Sequence, residues 1–178
     1  MFSFLILAGG KSRRMGVNKA DLLYRGETFL NRLIKKAANI GFEEILVSGK
    51  HIADVIPDRG PLGGIYSGLL AASKPLCFVT SVDLPLISES TIKNLIEQHL
   101  ASRRHPITVL KNNGQIEPLI GVFDRSLCEQ IKNMIEINPV SVFRLLDAAG
   151  FSCYDHKDSK NEIRSVNTKE DYKWLIEQ

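Results

Sequence analysis

Apolar positions along the chain change period repeatedly, and the changes mark out alternating strands and helices. Residues 2–7 form a short uncharged apolar run, which predicts a strand buried on both faces. Over 28–39 the apolar residues Phe29, Leu30, Leu33, Ile34, Ala37 and Ala38 fall at helical spacing, and Gly41 follows as a stop. Strands are expected at 45–47 and 55–56, then an irregular Gly- and Pro-rich loop over 57–64 and a helix over 65–73. Residues 76–81 predict another buried strand, ended by 82–85. Ser88 then caps a helix with Ile92, Leu95, Ile96 and Leu100 on one face, ending near 102.

The second half reads less regularly. Asn112-Asn113-Gly114-Gln115, between apolar runs at 107–111 and 119–123, has hairpin turn chemistry, so a parallel sheet would become mixed there. Helices over 126–137 and 140–149 are divided at Asn138-Pro139, because the residue before proline avoids helix, and Gly150 closes the second. A strand at 151–154, a polar loop over 155–162 and a final helix capped by Thr168, with Asp171 in its first turn, complete the chain. The alternation predicts a three-layer, Rossmann-like α/β fold in a single domain over 1–178, with a mostly parallel sheet and a mixed region in the second half. Open sheets of this kind bind ligands beyond the carboxyl ends of their strands, so the loops holding Gly9, Asp58 and Asp83 should share one edge.

Composition narrows the function classes. The 178 residues are 44% hydrophobic and 24% charged, an ordinary globular balance. A net charge of +3 suits small polyanions and lacks the basic stripe of a nucleic-acid binder. No apolar run reaches membrane-spanning length, and the first apolar segment has neither a basic leader nor a cleavage site, so a cytoplasmic protein is expected. Cys77, Cys128 and Cys153 are widely spaced, without a C-x-x-C pair, and read as small buried hydrophobes. The four histidines show neither helical pairing nor a nearby cysteine, so a histidine metal site is not indicated.

Chemistry concentrates after the first strand. Between Gly9 and Lys19, three glycines and four cations share eleven residues. Glycine leaves backbone N–H groups able to line an anion site, and Lys11, Arg13, Arg14 and Lys19 can supply charge-assisted bonds to phosphate. Neither of two better-known cradles fits. Gly10-Lys11-Ser12 has the end of a Walker A loop, but Leu5 stands where its first glycine belongs. After Gly9 and Gly10 no glycine follows until Gly16, which excludes the G-x-G-x-x-G dinucleotide fingerprint.

Leu7-Ala8-Gly9-Gly10-x-Ser12-x-Arg14-Met15-Gly16-x-x-Lys19, followed by Leu22, Leu23 and Gly26, resembles the signature loop of nucleotidyltransferases of the molybdenum cofactor guanylyltransferase type. The resemblance implies a nucleotidyltransferase fold, Arg14 and Lys19 as catalytic cations on the nucleotide phosphates, and Leu7, Ala8, Gly9 and Gly10 against the nucleotide. Asn18 departs from the aspartate common in the family. Asp58-x-Gly60-Pro61-Leu62-x-Gly64 resembles the family's base-binding turn, which implies Asp58, Gly63 and Gly64 at the nucleotide. With no side chain there offering a donor and acceptor pair, the peptide groups of 62–64 and 7–9 are expected to read the base.

Asp83 ends an apolar strand and precedes Leu84-Pro85, where an ionised carboxylate needs a cation to offset desolvation. Mg²⁺, which takes one or two carboxylates and fills its shell with water and phosphate oxygens, is the economical partner. The resemblance places the family's catalytic metal-binding aspartate at this position. Glu117-Pro118-Leu119 and Val166-Asn167-Thr168 are similar to weaker family motifs, which implies Glu117, Pro118 and Asn167 on the acceptor side; Ser165 replaces an asparagine of some relatives.

The implied reaction is transfer of GMP from Mg·GTP to molybdopterin or molybdenum cofactor, with release of pyrophosphate. Other cofactor-biosynthesis proteins or recipient molybdoenzymes are the implied partners. Two alternatives share the residues: a cytidylyl- or sugar-phosphate nucleotidyltransferase of the same fold, and a non-catalytic nucleotide-binding adaptor.

Overall fold

The structure, a computed structural model, describes residues 1–9, 16–136, 139–157 and 161–178. In chain order the elements are β1 (Phe2–Leu7), β2 (Leu23–Tyr24), β3 (Glu27–Thr28), α1 (Phe29–Ile40), β4 (Ile45–Ser48), α2 (Gly60–Ala71) and β5 (Leu76–Ser81). There follow α3 (Glu89–Ser102), β6 (Ile107–Asn112), β7 (Gln115–Asp124), α4 (Cys128–Ile135), α5 (Val142–Ala149), β8 (Ser152–His156) and α6 (Lys169–Ile176). Single 3-10 turns lie at Lys19–Asp21 and Arg125–Leu127.

Six strands form one sheet in the order β4-β1-β5-β7-β6-β8, and β2 pairs with β3 in a small hairpin. β4, β1 and β5 are mutually parallel, β7 runs antiparallel to both β5 and β6, and β8 is parallel to β6. The mixed region is therefore where the Asn113-Gly114 turn reverses the chain, with positive φ at both residues.

Period-2 alternation decides which face each strand residue serves. Phe4, Ile6 and Phe78 pack with Leu30, Leu33, Ile92, Leu95 and Leu175, so α1, α3 and α6 cover one face. Leu5, Leu7, Cys77 and Val79 pack with Ile65, Leu69, Ile131, Leu145 and Leu146, so α2, α4 and α5 cover the other. Both faces are buried, which is why β1 and β5 carry no charge. Cys77 is fully enclosed, whereas Cys128 and Cys153 are only half-buried.

Helix punctuation follows side-chain chemistry. Thr28 and Ser88 accept the N–H groups of Asn31 and Thr91, each at 3.1 Å, and Gly41 stops α1 with φ of 102°.

Three sequence expectations change. Residues 55–56 are not a strand: only Ile52 bridges to Ser48, and the N–H of Val55 is taken by Ser67 Oγ at 2.9 Å. The expected loop over 57–64 is half helix, since α2 starts at Gly60, five residues ahead of the position inferred from its apolar pattern. Pro61 is suited to a first turn, where its missing N–H costs nothing. The helix is glycine-rich because it lies against the sheet: a Cβ on Gly64 would stand 2.8 Å from Ser48 Oγ, and one on Gly68 would stand 2.2 Å from Leu5 Cδ2. β7 begins at Gln115 instead of 119, and its register with β6 shifts between Val109 and Leu110. Pro118 sits in that irregularity, where the ladder requires no donor.

Candidate active site

Parallel pairing brings the carboxyl ends of three strands level. Leu7 of β1 is in register with Ser48 of β4 on one side and Ser81 of β5 on the other. The register continues past the strands, with Ala8 N–H donating to Ser48 O at 2.9 Å and Val82 N–H donating to Leu7 O at 3.0 Å. A cavity of about 600 Å³ opens on this edge. Leu7, Gly9, Ser48 and Ser81 form its floor, Asp54, Asp58, Gly60, Pro61 and Gly64 one flank, and Asp83 and Leu119 the other.

Of the nucleotide residues expected from sequence, Leu7, Gly9, Asp58, Gly64 and Asp83 line this cavity. Ala8 does not; it is buried in the core on the α1 side. Gly63 does not line it either, and its N–H is committed to Arg59 O at 3.4 Å within α2. Gly10 and Arg14, with Lys11, Ser12, Arg13 and Met15, lie outside the described residues.

Close backbone approach shapes the floor. Gly49, just beyond β4, has φ of +82°, and a Cβ there would fall 2.4 Å from Gly9 Cα. No side chain fits between these two loops.

The acidic flank is assembled from three distant segments. Lys19 opens a 3-10 turn whose cap is Asn18, the side-chain oxygen of Asn18 accepting Ala20 N–H at 3.1 Å. Asparagine and aspartate are equivalent in that capping role, so the departure at Asn18 leaves the turn intact. Lys19 Nζ lies 2.9 Å from Asp83 Oδ2 and also donates to Asn167 Oδ1. Both members of the ion pair are largely shielded, with side chains 19% and 15% exposed.

The segment before α6 holds this arrangement. Val166 N–H donates to Asp83 O at 2.9 Å, and Asn167 Nδ2 donates to Ser165 Oγ at 2.7 Å. Thr168 and Asp171 form a capping box, and Asp171 also accepts Asn167 N–H at 3.0 Å. Ser165 thus turns the Asn167 amide so that its oxygen faces Lys19. Glu117 and Pro118 lie in β7, beside Leu119 of the cavity wall.

Two carboxyls near the cavity are pushed above the ordinary range. Burial and then the charge of Asp83 raise Glu117; burial, and less strongly the charge of Asp58, raise Asp54 despite a hydrogen bond from Ser48. Among the described residues no group of three or more His, Cys, Asp or Glu could cage a metal ion. Asp83, with Glu117 near enough to feel its charge, is a donor set of the kind that fits Mg²⁺ shared with phosphate oxygens.

Sequence reasoning passed over Ser48, Asp54 and Ser81. Each serine is the polar residue that ends an apolar strand, a signal present in the sequence at both positions.

Known proteins share this chain's family and fold. A Flavobacterium johnsoniae protein named probable molybdenum cofactor guanylyltransferase is 28% identical over 93% of this chain and 92% of its own. The fold matches molybdopterin-guanine dinucleotide biosynthesis protein A from Archaeoglobus fulgidus with a TM-score of 0.69, at 17% identity over 99% of this chain and 97% of that one. It also matches a Mycobacterium tuberculosis protein solved as a complex with manganese, with a TM-score of 0.75 at 17% identity over 99% and 98% of the two chains. Residues 4–149 match the family described as the MobA-like NTP transferase domain, and the chain belongs to that family of nucleotidyltransferases.

Proposed function

We propose that this protein transfers GMP from Mg·GTP to molybdopterin or the molybdenum cofactor, forming the guanine dinucleotide cofactor and releasing pyrophosphate. The observation that carries the proposal is that Asp83, in the wall of a cavity beyond the sheet edge, is paired with Lys19, which in turn donates to Asn167, in a chain of this family. The names of the curated relatives support the guanylyl group and its acceptor.

A phosphomonoester acceptor has a second pKa of about 6 and is largely dianionic at neutral pH, so the enzyme needs no base to create its nucleophile. Its task is to align two anions and to stabilise charge on the departing pyrophosphate. Lys19 supplies a cation held in place by neutral Asn167 as well as by Asp83. Asp83, with Glu117 beside it, is where Mg²⁺ would be held; when bound, the ion neutralises phosphate charge. Arg14 and the Gly9-Gly10 backbone complete the phosphate cradle, Asp58 lies beside the nucleotide, and Glu117, Pro118 and Asn167 face the acceptor. The chain works as one domain in the cytoplasm, exchanging its cofactor with other biosynthesis proteins or recipient molybdoenzymes. Among the described residues no helix is long and apolar enough to cross a membrane.

Pyrophosphate release measured with each of the four nucleotides, with and without molybdopterin, tests this reading. Release dependent on both GTP and molybdopterin is expected. Release with CTP and another acceptor would establish a cytidylyl enzyme, and no release with any nucleotide would leave a binding module.

A further inference from the structure

We propose that Glu162 is a positioning residue for the transferase reaction, docking the segment that carries Asn167 onto the loop that carries Asp83. The proposal rests on the site reading above and deepens it, since Glu162 lies outside the cavity lining and acts through Asn167.

Two segments remote in sequence must meet for the acidic flank to form. The loop over 82–88 runs from β5 to Ser88, the cap of α3, and holds Asp83. The segment over 161–167 leads into α6 and holds Asn167. Val166 N–H joins them by donating to Asp83 O at 2.9 Å, and the side chains of Ile163 and Val166 sink into the core on the α1 side. Apolar burial is non-directional, so hydrogen bonds must set the orientation.

Glu162 supplies a second tether. Its Oε2 accepts Ser88 N–H and its Oε1 accepts the Thr91 hydroxyl, each at 2.9 Å. His156 Nε2, at the end of β8, stands 2.9 Å from Oε1 without the alignment of a hydrogen bond, and adds an ion pair when the ring is protonated. Both side chains are largely shielded from water, which strengthens these contacts.

The arrangement replaces a local cap. Ser88 Oγ accepts Thr91 N–H at 3.1 Å, but threonine stands at 91, where a capping box has Glu or Gln reaching back to the cap N–H. α6 has such a box in Thr168 and Asp171. At α3 the carboxylate comes from Glu162, 74 residues from Ser88. An acid at 91 would cap the helix alone, whereas Glu162 also draws in the chain just before Asn167.

The loop is gripped from both sides. Lys36 donates to Pro85 O and Ile87 O from α1, and Glu162 takes the next N–H, that of Ser88. The two opposite charges attract across the loop. With Val166 docked on Asp83, the Asn167 amide faces Lys19, and Ser165 sets its rotation.

Amide hydrogen exchange at Val166 reads the docking directly and needs no substrate. Glu162→Ala should speed that exchange at least about tenfold while amides of β1 keep their protection, and kcat should fall about tenfold with GTP affinity unchanged. Adding Asn167→Ala should lower kcat no further than Asn167→Ala alone, because both act on one contact. Thr91→Glu in the Glu162→Ala background separates positioning from capping: it should restore Tm and leave Val166 exchange fast and kcat low. Recovery of kcat together with Tm would overturn the proposal, as would multiplicative effects of the two Ala variants or unchanged exchange at Val166. Wild type alone gives a further check, since Ser88 N–H should be protected, and its free exchange would also overturn the proposal. Failure of wild type to release pyrophosphate from GTP is a different result; it would overturn the guanylyl reading and leave the Val166 measurement standing.

Discussion

Lys19 and Asn167 are 148 residues apart in sequence and share a hydrogen bond, with the same ammonium 2.9 Å from Asp83. The pair joins the loop after the first strand to the segment before the last helix. A largely shielded cation is thereby held by one neutral and one charged oxygen, which fixes its position without fully neutralising it.

Lys19→Ala should lower kcat/KM by about 10²–10³-fold, the scale lost when a preorganised charge facing a transition state is removed. Asp83→Asn should fold and lose metal-dependent turnover. Steady-state kinetics across a Mg²⁺ series, with circular dichroism as a folding control, measures both. Near-native kcat/KM in folded Lys19→Ala would sink the role given to this cation.

Asn167→Ala removes the neutral half of the clamp. Turnover should fall by about tenfold, equivalent to one net hydrogen bond, while GTP affinity changes little. Ser165→Ala only frees the amide to rotate and should have a smaller effect. A large rise in the GTP dissociation constant for Asn167→Ala would instead place this residue in ground-state binding.

Gly49→Ala adds a methyl group at a left-handed residue, with its Cβ 2.4 Å from Gly9 Cα. Because backbone stands on the other side, the loop after β1 must move, and the KM for nucleotide should rise at least severalfold along with a stability loss of about 1–3 kcal/mol. Gly41→Ala is the control: φ is +102°, yet nothing lies within 4 Å of its Cβ. It should cost stability alone. Equal effects of the two variants on KM would remove the argument for contact between the loops.

Lys36 offers a pH test. Its ammonium donates to Pro85 O at 2.8 Å and Ile87 O at 2.6 Å, anchoring the loop after Asp83. Burial lowers its pKa to about 8 and the charge of Arg32 acts in the same direction, against the opposing carboxylates of Glu162, Glu89 and Glu27. The unfolded chain therefore binds more protons than the folded one between about 8 and 10.5. Stability gained from this group is fully present above 10.5 and is lost as pH falls through 8, a swing of up to about 3 kcal/mol. Urea denaturation at a series of pH values should show that rise in wild type, and Lys36→Met should flatten it. An unchanged slope in the variant would assign the rise to other groups.

Much of the fold was legible in local pattern. The runs at Phe2–Leu7 and Leu76–Ser81 declared strands because both of their faces are buried, and Thr28, Ser88 and Thr168 declared helix starts because a short side-chain oxygen there meets an N–H otherwise left unpaired. Lys19, Asp83 and Asn167 were each visible as residues in a motif, and so was the cavity edge as a consequence of strand and helix alternation.

The start of α2 was not legible, since glycine and proline speak locally for a loop. Only the tight seat of Gly64 and Gly68 against β4 and β1 makes glycine the residue a helix requires there. Ser48 and Asp54 carried no motif, and their presence in the cavity wall follows from β4 lying next to β1. The sequence by itself determined which segments are strands, which are helices and which carry charge, because those choices are made by backbone sterics and by burial within a few residues. The tertiary structure decided which of them meet: the order β4-β1-β5-β7-β6-β8 sets Lys19 against Asp83 and Asn167, and no local period encodes a contact across strands that are neighbours only in the folded sheet.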